Sequence, residues 1–261
     1  MGEIMLKKSG IKQERKMRNR IIFFLCLMSV LFADPLQHFE FDVESGLATI
    51  SYCDVQIPKS TGTLISFSDE LKTDPAFFVR GRFTYYFNRG NLISVLIAPL
   101  KLEATGSVDR EVIFEGESFA PNATLNTVFR FNSYRISYQH FWFIGENLHL
   151  GLGATAKIRD AAISIADSSH ISEKTDIGFV PIIRFSLAWR FLDPLSFVLE
   201  GDALAAPQGR AEDVSLSIHS EISKATSLKL GYRVLEGGSD VEAVYSFTWV
   251  NYIFMGALLR F

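Results

Sequence analysis

The sequence predicts an all-β protein, a transmembrane up-and-down antiparallel β-barrel, most simply of ten strands. Three observations lead to this prediction: segments of about ten residues with alternating apolar and polar character, connections that alternate between tight turns and longer links, and an export signal at the N-terminus. Aromatic residues make up 13% of the chain, and Phe alone contributes 23 of its 261 residues. A protein this aromatic buries much apolar surface or exposes it to lipid.

Residues 1–33 are predicted to be a signal peptide. The basic stretch KMRNR precedes the apolar run IIFFLCLMSVLF (21–32), and Ala33 follows it at a cleavage position. This run is shorter than the about 20 residues that a membrane-spanning helix needs. Residues 1–16 are interpreted as an over-long start, because Met17 opens a signal of ordinary length. The alternative is an uncleaved anchor or a buried helix. Residues 34–261 are predicted to form a single barrel domain.

The charge of the remaining chain argues against nucleic acid as a partner. Residues 1–33 contain seven of the 26 basic and two of the 29 acidic residues, which leaves 19 basic and 27 acidic residues, a net charge of −8. Nucleic-acid-binding domains carry the opposite balance. Cys53 is the single cysteine after residue 33, so no intrachain disulfide forms there, and the pattern favours an inert thiol over a catalytic one.

Ten segments carry the strand pattern, and no stretch after residue 33 offers 18 uninterrupted apolar residues. Four tight turns connect them on one side: NRGN (88–91), IGEN (144–147), LDPL (192–195) and KATS (224–227). Longer links, including 48–76, 106–125, 166–176 and 237–246, connect them on the other. An even strand number places both chain ends on the side of the short turns. The predicted segments are 38–47, 77–88, 92–105, 126–142, 148–165, 177–191, 195–205, 212–222, 227–236 and 248–261.

The two faces of these segments differ in chemistry. The polar faces mix charged residues with Gly, Ser and Thr, as a narrow lumen requires, whereas a soluble β-sandwich would alternate around a buried apolar face. Segment 126–142 keeps one phase only with a β-bulge near Asn132–Ser133. Without a bulge, Phe129 and Phe131 face opposite to Tyr134. Aromatic residues where strands meet short turns resemble an interfacial girdle; they are Phe87, Tyr138, Trp142, Trp189 and Phe191.

The C-terminal segment GALLRF carries a resemblance. Through Gly256, Leu259 and Phe261 it resembles the C-terminal targeting strand of bacterial outer-membrane β-barrel proteins. The family pattern usually has a polar residue two positions before the Gly, where this chain has Phe254. The stretches RFNSYRISY, TAKIRDA and DALAAPQGR are similar to stretches of small outer-membrane proteins that have no assigned activity. The resemblance implies a Gram-negative outer-membrane location, recognition by the barrel assembly machinery, and outer-membrane lipid and lipopolysaccharide as surroundings; we expect a monomer.

Charged residues on the polar faces are predicted to fill the lumen with ion pairs, because an unpaired ion in a narrow interior costs several kcal/mol. In a ten-stranded barrel, strand n faces strand n+5. Acids of strand one then face arginines of strand six, and arginines of strand two face acids of strand seven. Strands four and nine are both basic, so their charges either find acids elsewhere or line water. The predicted network is Glu40, Asp42, Arg80, Arg82, Arg130, Arg135, Lys157, Arg159, Arg184, Arg190, Glu200, Asp202 and Glu221. Further inward assignments are Glu44, Lys101, Glu103, Asp213, His219, Lys229, Arg233 and Arg260.

Three functions remain open at this point. The first is a structural or surface-loop interaction role for a plugged barrel, and the second is a narrow, porin-like pore for small solutes. The third is a lipid A-modifying or proteolytic barrel enzyme, for which His170, Ser172 and Glu173 are the one compact candidate set. The other histidines lack metal-ligand spacing and no phosphate-binding Gly loop occurs, so we expect neither metal nor cofactor.

Overall fold

The structure, a computed structural model, describes residues 38–261, so the predicted signal peptide lies outside the described residues. These residues form a closed antiparallel barrel with ten strand positions, as predicted. We call these positions staves and number them in chain order, because one of them consists of two strands. The described residues contain no helix that could cross a bilayer. The first and last strands close the barrel, with Glu40 opposite Arg260 and Gln56 opposite Tyr245. The strands are β1 (Phe39–Gln56), β2 (Ile65–Ser66), β3 (Lys72–Thr73), β4 (Ala76–Asn88), β5 (Asn91–Ala98), β6 (Lys101–Gly106), β7 (Val112–Phe114), β8 (Glu117–Phe119), β9 (Leu125–Ile144), β10 (Leu148–Ala166), β11 (Ile171–Leu192), β12 (Leu195–Ala206), β13 (Gly209–Ser223), β14 (Thr226–Val241) and β15 (Val244–Arg260).

The third stave consists of two strands in one line. Strands β5 and β6 are separated at Pro99–Leu100, and both pair with β9 in a single register, from Asn91 opposite His140 to Gly106 opposite Leu125. Proline cannot donate a ladder hydrogen bond, which explains the break. The remaining staves are β1, β4 and β9–β15, each antiparallel to its neighbours.

The strands at the end opposite the short turns are longer than the sequence predicts. Strand β11 has 22 residues and begins at Ile171, so the predicted link 166–176 is mostly strand. Strands β14 and β15 run to Val241 and from Val244, which leaves a two-residue turn where a ten-residue link was expected. A bilayer needs only about 9–11 residues of a tilted strand. The barrel therefore extends well beyond the membrane at this end.

An apolar band on the outer surface marks the membrane-spanning part. The predicted girdle aromatics lie on this outer surface at the short-turn end, each 42–50% exposed. At the other edge, outward-facing polar pairs end the band: Arg130 Nη1 lies 3.3 Å from Asp160 Oδ2, and Lys101 Nζ lies 2.6 Å from Glu103 Oε1. Exposed apolar side chains within the band include Phe41, Phe83, Val95, Ile136, Leu152, Ile183, Leu216, Leu230 and Met255.

We call the part of the barrel inside this band the membrane half, and the part from these polar pairs to the long loops the loop half. The interior of the loop half is a hydrophobic core that receives the β1–β4 loop (57–75) and the β7–β8 hairpin. Phe67, Phe114 and Phe119 from these two segments are at most 1% exposed. The hairpin turns at Glu115 and Gly116, both with positive φ, and is tied to the other loop by a hydrogen bond from Glu115 N to Ile57 O at 2.9 Å.

Of the two alternatives for segment 126–142, the structure has the one without a β-bulge. Strand β9 pairs with β10 without a register shift from Asn126 to Ile144. Phe129 and Phe131 therefore face inward, opposite to Tyr134. The physical reason is that both phenylalanines lie in the loop half, where the apolar side of the strand points into the core rather than to lipid.

Candidate functional site

The lumen of the membrane half contains a charge-paired network centred on Asp213. This carboxylate on β13 accepts hydrogen bonds from three guanidinium groups: Oδ2 lies 3.0 Å from Arg80 Nη2 and 2.5 Å from Arg135 Nη2, and Oδ1 lies 2.7 Å from Arg233 Nη1. Asp213 and Arg233 are each 2% exposed. The three arginines come from β4, β9 and β14, so one acid links four staves.

A second cluster surrounds Glu44 on β1. Its carboxylate accepts hydrogen bonds from Arg233 Nη2 at 2.8 Å and from Lys229 Nζ at 2.7 Å. Lys229 also lies 2.6 Å from Asp42 Oδ1. The carboxylates of Asp42, Glu44 and Glu200 lie close enough together to ligate a metal ion, but the Lys229 ammonium already contacts two of them. We therefore assign this cluster to the ion-pair network.

Two pairs from β12 cross the bore. Glu200 Oε2 lies 2.7 Å from Arg82 Nη1 of β4 and 2.9 Å from Arg184 Nη2 of the adjacent β11. Asp202 Oδ2 lies 2.7 Å from Arg135 Nη1 of β9, while Thr155 donates to Asp202 Oδ1 at 2.7 Å. Side chains from opposite walls therefore touch across the lumen.

The opposite-strand prediction holds in part. Arg82 and Glu200, on the second and seventh staves, pair directly as expected. The acids of the first stave instead bind Lys229 and Arg233 of the ninth, because those long side chains reach across one intervening stave. Arg135 and Arg233, on the basic fourth and ninth staves, find their acid in Asp213 of the eighth.

Several charges lie elsewhere than predicted. Arg130, Lys101 and Glu103 face outward in the loop half, where the apolar side of their strands turns to the core, so their assignment to the lumen was wrong. Arg190 and Glu221 form an exposed pair at the short-turn rim, with 3.6 Å between Arg190 Nη2 and Glu221 Oε2. Glu40 pairs with Arg260 near the same end, with 2.9 Å between Oε2 and Nε.

Lys157 and Arg159 face inward at the upper edge of the network. Arg159 pairs with Asp176 through Nη2. Lys157 is 2% exposed and, among the described residues, forms no salt bridge; its ammonium lies 4.8 Å from the centre of the Phe131 ring. Neither Lys157 nor Arg159 therefore belongs to the cross-bore network in which the sequence analysis places them.

A cavity of about 320 Å³ lies above this edge, between β9–β11 and β13–β15. Lys157 and Arg159 line it together with Lys174, Asp176, Arg210 and Glu236. Side-chain exposure rises from 2% at Lys157 to 54% at Asp176, so the cavity opens toward the loop end. Its apolar wall includes Ile57, Phe129, Phe131, Ile163, Val180, Leu235, Val244 and Val250.

The proposed catalytic set is not assembled as a triad. His170 Nδ1 lies 3.2 Å from Asp167 Oδ1, and the imidazole stacks on Phe119 with 4.4 Å between ring centres. Ser172 faces inward and donates to Phe114 O at 3.3 Å. Glu173, the residue opposite Ser164 in the sheet, is exposed on the other face of β11. Each of these side chains is placed by the packing of the β7–β8 hairpin or by the strand, and no serine-to-histidine hydrogen bond links Ser172 to His170.

The lone thiol of the described chain is deep in the loop half. Cys53 is in β1 rather than in a loop, is fully buried, and accepts a hydrogen bond from Thr248 Oγ1 at 3.4 Å. Burial raises the pKa of the Cys53 thiol to about 12. A thiol with so little thiolate is a poor nucleophile.

Gly256 of the C-terminal motif has a packing role in the lumen. It faces inward beside Lys229, and a Cβ at this position would lie 2.7 Å from Lys229 Cε and 2.3 Å from Val43 O. The glycine therefore gives Lys229 room to reach Asp42 and Glu44. Leu259 of the same motif faces outward and is 43% exposed.

Comparison with known proteins identifies the fold. No protein-family model and no curated protein sequence matches this chain. Among solved structures, the outer-membrane protease OmpT from Escherichia coli matches with a TM-score of 0.57 and 8% identity, covering 86% of this chain and 97% of that one. The NalP autotransporter translocator domain from Neisseria meningitidis gives 0.45 at 9% identity, covering 95% and 96%. Ail from Yersinia pestis gives 0.38 at 13% identity, covering 86% and 99%. At these identities the OmpT likeness shows the fold alone, that of an outer-membrane β-barrel.

Proposed function

We propose that this protein is a monomeric outer-membrane barrel with a plugged, non-conducting lumen, and that its role is structural or lies in interactions of the loop half outside the cell. The observation that carries the proposal is the set of ion pairs that crosses the lumen: Arg82 with Glu200 joins opposite walls, and Arg135 with Asp202 joins staves that are three apart. The C-terminal motif supports delivery by the barrel assembly machinery, and the apolar band supports contact with outer-membrane lipid and lipopolysaccharide.

The physical argument concerns what a passing ion would have to displace. Arg135, Asp202 and Asp213 are each at most 3% exposed. Separating such a pair leaves each charge without its partner in a poorly solvated interior, at a cost of several kcal/mol per ion. A solute as large as a sugar would have to break several pairs at once. The lumen therefore acts as a brace that holds the staves together.

Conductance in planar bilayers tests the plug. We expect the mature protein to give no stepwise current. The double variant Arg82→Ser with Glu200→Ser removes one cross-bore pair, together with the contact between Glu200 and Arg184, and should admit water and small ions. The matched control is Lys101→Ser with Glu103→Ser, which removes a pair on the outer surface. A stable single-channel current from the unsubstituted protein would overturn the plugged lumen and favour the narrow pore.

Cell fractionation tests the location. We expect the processed chain to sediment with outer membranes and to require detergent for extraction, because its exposed apolar band is stabilised by contact with lipid. Recovery of the folded chain from the soluble periplasmic fraction would contradict the proposal. The fractionation is independent of the conductance measurement.

A further inference from the structure

The cavity of the loop half has an unusual floor, because its deepest charged group, Lys157, has no acidic partner among residues 38–261. Lys157 is buried beside Phe131 and Val180. In the sheet it lies opposite Arg135 of β9 and Val180 of β11. The nearest acids of the plug, Asp202 and Asp213, already bind Arg135. A buried ammonium without a counter-ion is costly, so this position favours an anion supplied from outside the chain.

The charge balance of the membrane half points in the same direction. Apart from the rim pair Arg190–Glu221, the inward-facing cations outnumber the inward-facing carboxylates. The six carboxylates are Glu40, Asp42, Glu44, Glu200, Asp202 and Asp213, and the eight cations are Arg80, Arg82, Arg135, Lys157, Arg184, Lys229, Arg233 and Arg260. The excess positive charge is thus built into the wall below the cavity.

A second donor beside Lys157 is also free. Arg159 lies two residues further along the same inward face of β10, and its Nη2 binds Asp176. Its Nε is buried and has no hydrogen-bond partner among the described residues. The other cations of the cavity are paired, Lys174 with Glu115 and Arg210 with Glu236. The two unused donors therefore both belong to one patch at the floor.

The remaining wall is hydrocarbon, and its volume suits a small ligand. At about 320 Å³, the cavity falls in the range of roughly 300–1,000 Å³ that small-molecule pockets occupy. Phe129, Ile163 and Val244 line it above the two donors. An inorganic anion would satisfy the donors but leave this apolar wall uncovered, and a neutral hydrocarbon would leave the donors unpaired.

We propose that the cavity binds a single-chain amphiphilic carboxylate, with its head group at Lys157 and Arg159 and its chain against the apolar wall. The carboxylate supplies the two oxygens that the two donors require, and the chain displaces water from the wall. This binding does not depend on whether the lumen conducts, so the two proposals fail independently.

Equilibrium dialysis of labelled octanoate tests this site. The full mature protein in nanodiscs of zwitterionic lipid is compared with empty nanodiscs, which correct for partition into lipid. We expect saturable binding at one site per protein. In Lys157→Met, which nearly keeps the length of the side chain but removes its charge, octanoate should bind at least about tenfold more weakly. A tenfold loss of affinity corresponds to about 1.4 kcal/mol. Lys101→Met, on the outer surface, is the matched control and should bind octanoate as the unsubstituted protein does.

Two ligands and a second variant separate the contributions of head and chain. Acetate and octan-1-ol should each compete weakly, because each lacks one part of the match. Ala161→Phe places a ring in the cavity without changing any charge, and it should abolish octanoate binding. The β-sheet circular dichroism signal reports whether each variant folds. Ala161→Phe therefore tests the site even if Lys157→Met does not fold. Binding equal to that of empty nanodiscs, unchanged binding in Ala161→Phe, or acetate binding as tight as octanoate would each overturn the proposal.

Discussion

The two halves of this barrel use opposite chemistry on the same strands. In the membrane half the outer surface is apolar and the interior is ionic, as at Ile136 and Arg135 of β9. In the loop half the outer surface carries Arg130 and Asn132, and the interior carries Phe129 and Phe131. The inward face of β9 thus changes from polar to apolar between Ser133 and Phe131 without any change in the phase of the strand.

The difference follows from what surrounds each half. In the proposed location lipid covers the outer face of the membrane half, so the apolar side chains face lipid and the interior carries charges that must pair with one another. Water surrounds the loop half, so burial of apolar area inside provides the stabilisation, as in a soluble protein. One strand therefore passes through two environments. The stabilisation of each half can be tested by substitutions within that half.

The largest expected effect is in the membrane half. Asp213→Asn keeps the shape of the side chain but removes the charge that Arg80, Arg135 and Arg233 share. Breaking a buried ionic network on one side costs about 3–5 kcal/mol, and we expect a loss of this size in urea unfolding of the barrel. The matched control, Asp160→Asn, breaks an outward pair with Arg130 and should cost about 1 kcal/mol or less. Equal, small losses in both variants would contradict a structural role for the network.

The next effect belongs to the loop half. Phe67 is 1% exposed in the core between the loops and the barrel wall. Phe67→Ala should lower the free energy of loop opening by about 3 kcal/mol, at the low end for such substitutions because a loop can collapse onto the gap. Proteolysis under native conditions should then cut faster within residues 57–75. Phe77→Ala, at a position 72% exposed on the outer surface, is the control and should leave the cleavage rate as it is.

The comparison also explains how far the sequence alone could lead. The ten strands, the outward aromatics and the pair Arg82–Glu200 follow from alternation and strand order, because lipid enforces a strict rule on the membrane half. Arg130, Lys101 and Glu103 were misassigned because that rule was extended into the loop half, where the polar face points outward. A signal for the change was present: Leu96, Leu100 and Leu102 make the inward face of the third stave apolar.

The sequence alone could not show that Lys157 has no acidic partner within the described part of the chain. Its inward position follows from alternation, but its lack of an acid depends on Arg135 taking both Asp202 and Asp213. The cavity likewise depends on how loop 57–75 and the β7–β8 hairpin fold back into the barrel. This folding involves contacts between residues that are far apart in the sequence.

A smaller effect is expected where the two long loops meet at the surface. Arg110 Nη1 lies 2.5 Å from Glu70 Oε2, and this hydrogen bond lowers the pKa of Glu70 from its ordinary 4.5. Because the folded pKa lies below the unfolded one, the stabilisation is present above about pH 4.5 and is lost as the pH falls through the lowered value. Glu70→Gln should loosen the loops by about 0.2–1 kcal/mol at neutral pH. Native proteolysis should show this difference at neutral pH and lose it in acid; a difference that persists in acid would mean that the ion pair is not its cause.

The smallest effect concerns the β10–β11 turn, where one carboxylate accepts several hydrogen bonds. Asp167 Oδ1 accepts hydrogen bonds from Ser169 N at 2.7 Å, Ser169 Oγ at 2.7 Å and His170 N at 3.0 Å. These bonds lower the pKa of Asp167 from 3.8 to about 2. The turn is therefore stabilised above about pH 3.8 and loses this contribution as the pH falls through about 2. The amide chemical shifts of Ser169 and His170 should titrate with that midpoint, and Asp167→Asn should abolish the titration. A midpoint near 3.8 would show that these hydrogen bonds do not hold the turn, and that even the short loops of this half depend on its core.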